Sequence, residues 1–275
     1  MKKSVLVGIN KYELEGNNLS GCVNDVTNVR DILINYYGFE IPNIRVLVDE
    51  RATKCNIMER LGWLVDDAKS GDNLVFHFSG HGSQIRERGN GDELDDSLDE
   101  IICPTDMDWE GTYITDDELA EMFKRLPAGI TLDVILDSCH SGTATRNPFK
   151  VRYMQPPVDI LCRNEENIAS KGLFSWIKGF FVGKKKDDTM EPINDMNHSL
   201  MAGCQSKQTS ADAYLDSSYN GAFTYYLCKT IRAENGKINR IDLRNKTKGS
   251  LEYNGFDQSP QLETNKELFY GNIFR

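Results

Sequence analysis

The chain has 275 residues, 39% of them hydrophobic and 27% charged, which is too apolar for a disordered polypeptide and suits one α/β domain with insertions. A formal net charge of −10 repels nucleic-acid phosphates and anionic lipid, so neither is an expected partner. The seven cysteines include no CxxC pair and no zinc-finger spacing, and Met1-Lys2-Lys3 runs straight into a strand-like segment with no signal peptide or spanning stretch visible; no disulfide framework is predicted, and a reducing, cytoplasmic setting is.

In chain order, the apolar run Ser4–Asn10 reads as a strand and the periodic segment Cys22–Tyr37 as a helix. Ile44–Asp49 (strand), Thr53–Lys69 (helix), Asn73–Ser79 and Glu100–Pro104 (strands) follow. Thr115 and Glu118 form a capping-box pattern at the head of a helix over Asp116–Arg125. Leu132–Asp137 and Ser199–Gly203 read as strands, and Phe223–Asn235 and Arg240–Leu251 as helices. Near-continuous hydrophobicity over each strand implies burial on both faces, so the alternation predicts a mostly parallel sheet covered by helices.

Two stretches interrupt that alternation. Arg86–Asp99 is polar and acidic, with Asp92, Glu93, Asp95 and Asp96 in close succession. Asn147–Asn197 has no consistent period and includes Pro156-Pro157 and Lys184-Lys185-Lys186, a length that marks a functional or unstructured segment. Within it Gly172–Gly183 is apolar and aromatic, read either as a piece docking on the main body or as a membrane- or partner-binding stretch.

Reactive groups in open α/β sheets collect at the carboxyl ends of strands. One strand here ends in Ser79-Gly80-His81-Gly82, and another in Asp137-Ser138-Cys139-His140-Ser141-Gly142. A lone cysteine or histidine at such a place is ordinarily a packing residue. Both together, each beside glycine, point to a thiol nucleophile with an imidazole as its proton acceptor. The backbone N–H groups of Gly82 and Cys139 are candidates to stabilise a developing oxyanion. His77 reads as a core residue, and His140 as pointing away from its neighbour.

The motifs SGHG and DSCHSG resemble those of the metacaspases, caspase-like cysteine peptidases. Gly21-Cys22-Val23-Asn24-Asp25, Tyr113-Ile114-Thr115-Asp116-Asp117-Glu118, Gln208-Thr209-Ser210-Ala211-Asp212 and Ser259-Pro260-Gln261-Leu262 extend the likeness over most of the chain except Asn147–Asn197. The resemblance implies a caspase-like, mostly parallel six-stranded sheet sandwiched between helices. It implies one peptidase domain over 1–275, with a larger catalytic portion at 1–146, a linker or insertion at 147–197 and a smaller portion at 198–275. The implied activity is cleavage of proteins or peptides after Arg or Lys through His81 and Cys139, with a thioester intermediate, no organic cofactor, and a monomeric enzyme.

By the same resemblance Asp25, Asp137 and Asp212, with Cys22 and Ser79 nearby, would line the pocket for the basic side chain, a task that suits carboxylates. Asp99, Asp116 and Asp117 are the implied calcium ligands, although Arg146 stands where the family has a further acid. The family often cleaves itself in its linker. Arg146, Arg152, Arg163, Lys178 and Lys184–Lys186 match the implied preference there, and Lys184, Lys185 and Lys186, an exposed-looking basic run, are the expected site. A catalytically silent scaffold and a calcium-responsive signalling module are the competing readings.

Overall fold

The computed structural model describes residues 1–86, 98–139, 149–158, 160, 198–205 and 208–275. A six-stranded sheet holds β1 (Lys2–Gly8), β2 (Ile44–Val48), β3 (Asn73–Ser79), β7 (Thr131–Asp137), β9 (Ser199–Ala202) and β12 (Gln261–Glu263). Their spatial order is β12-β9-β7-β3-β1-β2. All neighbours run parallel except β12, which pairs antiparallel with β9.

Successive side chains on a strand face opposite ways, and the apolar runs therefore feed two cores. Leu6, Val75, Ile135 and Met201 pack with Val26, Val29 and Leu33 of α1 (Cys22–Tyr37) and with Phe223 and Leu227 of α4 (Ala222–Ala233). Val5, Val7, Phe76, Phe78, Val134 and Leu200 pack with Ile57, Leu61 and Leu64 of α2 (Lys54–Val65) and Phe123 of α3 (Asp116–Lys124). The Thr115–Glu118 capping box is formed in full at the head of α3. Helix α5 (Arg240–Tyr253) and the short α6 (Lys266–Tyr270) follow later in the chain.

The strand read at Glu100–Pro104 exists as β5 (Leu98–Ile102), but outside the main sheet. It lies antiparallel between β4 (Gly82–Arg86) and β6 (Ile114–Thr115). The sixth strand of the main sheet is instead β12, only three residues long and flanked by Pro260 and Thr264. A second small sheet joins β8 (Lys150–Val151), β10 (Ala211–Leu215) and β11 (Ser218–Gly221). Asp216 and Ser217, both at positive φ, make the two-residue turn between β10 and β11, the twist that suits a tight hairpin. No described helix is long and apolar enough to cross a membrane.

Candidate functional site

The parallel register aligns Gly8 with Ser79 and Ser79 with Asp137. His81 and Cys139 therefore stand at the same step, two residues beyond the ends of adjacent strands. All of Asp25, Ser79, His81, Asp137, Cys139 and Asp212 are buried. Asp25 comes from the first turn of α1 and Asp212 from β10, so four elements converge on one edge of the sheet.

What fills that convergence is an arginine of the chain itself. Arg152 is fully buried, and its Nη2 lies 2.8 Å from Asp25 Oδ2 and 3.0 Å from Asp212 Oδ1. Its Nη1 lies 3.3 Å from Asp137 Oδ1 and donates to Ser79 Oγ at 2.7 Å. The three carboxylates do not depend on Arg152 alone. Asp25 accepts from Gly221 N at 3.0 Å and Ser79 Oγ at 2.7 Å. Asp137 accepts from Ser210 Oγ at 2.5 Å and from the N and Oγ1 of Thr224 at 2.9 and 2.7 Å. Asp212 accepts from Ser20 N at 2.8 Å and Gly21 N at 2.9 Å. Such donors hold buried carboxylates in place without a cation. Burial pushes the Asp25 carboxyl up to about 7 even though the Arg152 charge pulls it down. Cys22 borders the same pocket, where burial raises its thiol pKa and the charge of Arg152 opposes the rise.

Gly221, to which the sequence drew no attention, sets the width of this pocket. A Cβ there would sit 2.3 Å from Asp137 Oδ2 and 2.5 Å from Arg152 Nη1, so any side chain would intrude on the space the guanidinium occupies.

The backbone around Arg152 lies as an extended peptide. Lys150 and Val151 pair antiparallel with Asp212 and Ala211, and Arg152 N donates to Ser210 O at 3.1 Å. Beyond Arg152 the chain switches partner: Tyr153 bridges to Gly82, and Met154 N donates to Gly82 O at 2.9 Å. At the crossing, the Arg152 carbonyl oxygen accepts from Gly82 N and from Cys139 N, both at 3.1 Å. Two preset N–H groups on one carbonyl oxygen form a geometry able to stabilise a tetrahedral oxyanion.

His81 Nε2 lies 2.7 Å from the Asn17 carbonyl oxygen. A carbonyl cannot donate, so in the neutral ring Nε2 carries the proton and Nδ1 the lone pair. Nδ1 is buried with no hydrogen-bond partner. Burial pushes His81 down to about 4; the Asn17 contact opposes this, and the charges of Arg152 and Lys150 add to it. Tyr12 fixes the loop by accepting from His81 N at 2.8 Å and packing its ring 4.9 Å from the imidazole. Neither Asn17 nor Tyr12 carried a signal in the sequence. The Cys139 thiol contacts the backbone of Ser210. Cys204 lies beside it, its pKa raised first by contact with Cys139 and then by burial.

His77 is a fully buried core residue with neither ring nitrogen hydrogen-bonded, and burial pushes it down to about 4. Asp99 lies on β5, and Asp116 and Asp117 open α3. Burial, then the charge of Asp117, pushes Asp116 up to about 7. Among the described residues no three His, Cys, Asp or Glu side chains form a metal-binding group. His140, Arg146, Gly172–Gly183, Lys184–Lys186 and the acids Asp92–Asp96 lie outside the described residues.

Residues 2–148 match the family model described as metacaspase, peptidase C14 domain. Metacaspase-1 of Pyricularia oryzae is 33% identical over an alignment covering 99% of this chain and 74% of that protein. For metacaspase-1B of Aspergillus oryzae the figures are 32%, 99% and 70%. Among solved structures, the Geobacter sulfurreducens protein GSU0716 gives a TM-score of 0.71 at 23% identity, covering 99% of this chain and 98% of that one. Caspase-1 from Spodoptera frugiperda gives 0.62 at 11% identity, covering 96% and 86%. At these identities the two structural likenesses speak for the fold, which is caspase-like.

Proposed function

Because the chain belongs to the metacaspase family of cysteine peptidases, we propose that it cuts polypeptides after Arg or Lys with Cys139 as nucleophile and His81 as proton carrier. The observation behind this is Arg152, whose guanidinium sits among three carboxylates while its carbonyl meets two N–H donors. It occupies the cleft as the residue before a scissile bond would.

In the proposed reaction His81 Nδ1 takes the thiol proton of Cys139, and the thiolate attacks the carbonyl carbon. Negative charge on the oxygen is held by the N–H groups of Gly82 and Cys139. Collapse expels the amine, which takes the proton from His81 and leaves a thioester. Water, deprotonated by the same imidazole, then releases the acid and restores the thiol. Arg152 Nε has no partner, so recognition falls on the tip of the side chain. Such a pocket accommodates the ammonium of lysine as well as a guanidinium.

The same geometry supports self-processing at the Arg152–Tyr153 bond, with the uncut segment blocking the cleft. Lys184–Lys186, outside the described residues, is a second candidate site. Calcium enters as a modulator near Asp99, Asp116 and Asp117, and no step of the reaction passes through it.

Hydrolysis of fluorogenic peptides ending in Arg, Lys or Asp tests the reading, with and without chelator and beside Cys139→Ala. Arg and Lys peptides turn over, the Asp peptide does not, and Cys139→Ala is silent. Absence of turnover under every condition would favour the silent scaffold, and indifference to chelator would remove calcium.

A further inference from the structure

The segment that fills the cleft also reports what the cleft accepts upstream of the basic residue. In the antiparallel register Val151 faces Ala211 and Lys150 faces Asp212, and Phe149, one residue before the paired stretch, packs against the cluster that holds Ala211 and Ala213. Paired residues project to the same face of a sheet. Arg152 and Lys150 therefore share the face of Asp212, and Val151 and Phe149 that of Ala211 and Ala213. The second face is apolar and separate from the carboxylate pocket. There Phe149 packs against a buried cluster of Ala211, Ala213, Ala222, Tyr226, Leu251 and Phe256. Its ring lies 4.8 Å from that of Phe256 with the planes 28° apart, and Tyr226 meets the same Phe256 ring edge-on at 6.0 Å.

Phe256 is placed there by the end of α5. Gly255 has φ +81°, its N–H donates to Glu252 O, and Phe256 N donates to Leu251 O at 3.0 Å. This is the paired-bond helix stop in which the residue after the left-handed glycine packs on the last turn; here Phe256 and Leu251 share the cluster. The aromatic wall is thus a fixed part of the fold, whereas Phe149 is only half-buried against it.

We propose that Phe256, with Tyr226 and the alanines of β10, forms a subsite selecting an aromatic side chain at the fourth residue before the scissile bond. The preferred upstream sequence is then aromatic, any, small apolar, Arg. The inference rests on the cleavage reading above and adds a second specificity determinant to it. Stacking and burial of one ring correspond to about a ten-fold gain or more in kcat/KM over alanine at that place.

The test compares fluorogenic peptides Phe-Lys-Val-Arg, Leu-Lys-Val-Arg and Ala-Lys-Val-Arg on the full chain and on its Arg152→Gln variant, whose own segment holds the cleft without the guanidinium and so competes less. The expected order is Phe, then Leu by a few-fold, then Ala by about ten-fold or more. Phe256→Ala should bring the Phe/Ala ratio to within about two-fold while still cutting the Ala peptide, and Phe256→Leu, which keeps most of the volume, should erase the Phe/Leu preference. Equal turnover of all three peptides would overturn the subsite and leave cleavage after Arg standing, as would a Phe/Ala ratio that survives in Phe256→Ala. Failure of every Arg peptide on both chains would overturn the cleavage reading and the subsite together.

Discussion

Among the described residues two arginines are wholly buried, and they are held in different ways. Arg240 opens α5 and grips Asp133 of β7 through Nε at 2.6 Å and Nη2 at 2.8 Å. Its Nη1 reaches the carbonyls of Leu268, Gly271 and Asn272 at 3.2, 3.2 and 2.9 Å, tying the C-terminal tail to the sheet. Asp133 otherwise accepts only from Phe274 N, at 2.9 Å, among the bonds described. Without its guanidinium this site keeps a buried carboxylate nearly unmet. Arg152 sits among three carboxylates that each keep two or more other donors, and its own Nε goes unpaired. One site is completed by its arginine; the other, under the proposed cleavage, is a receptor that an arginine of the chain fills.

The stability contrast carries the largest expected effect. Arg240→Ala strands Asp133 and should cost about 3–5 kcal/mol, the scale for breaking a buried ion pair, lowering Tm by about 10 °C for a chain of this size. Arg152→Gln should cost less than Arg240→Ala, because each carboxylate it leaves keeps two or more other donors. Thermal unfolding of the two variants side by side measures the difference, and equal losses would erase the distinction.

Gly221→Ala sharpens the receptor side of the contrast. With a Cβ only 2.3 Å from Asp137 Oδ2, kcat/KM for an Arg peptide should fall on the order of a hundred-fold. Steady-state kinetics on folded variant protein checks this, and near-normal turnover would show that the pocket is wider than described.

A smaller effect concerns pH. Burial raises Asp25 to about 7 even with the Arg152 charge beside it pulling it down, and a basic side chain binds the ionised carboxylate. KM for an Arg peptide should therefore fall as pH rises through 7 and beyond, by roughly ten-fold per unit at most. His81, pushed down to about 4, stays neutral across that range and adds no slope. Asp25→Asn should flatten the profile; an unchanged slope in that variant would assign the titration elsewhere.

The strand ends and the three acids were legible in the sequence because apolar runs and short motifs announce them. Residues that act through the backbone or through their lack of a side chain were not: the Asn17 carbonyl carries no residue-type signal, and Gly221 matters only beside Asp137. Arg152 was one of several basic residues in an aperiodic stretch, and nothing local separates it from Arg163 or Lys178. The strand at Glu100–Pro104 misled for a related reason, since hydrophobicity gives burial but not partner. Its partner β4 comes from the polar Gly82–Arg86, while β12 enters the main sheet with a single buried Leu262.

The most direct test of Arg152 as a seated substrate residue is intact-mass analysis with N-terminal sequencing after incubation of the full chain. The account predicts a new terminus beginning at Tyr153 from the unaltered protein, and none there from Cys139→Ala or Arg152→Gln. The same Tyr153 terminus from Cys139→Ala, or processing that leaves the Arg152–Tyr153 bond intact, would contradict it.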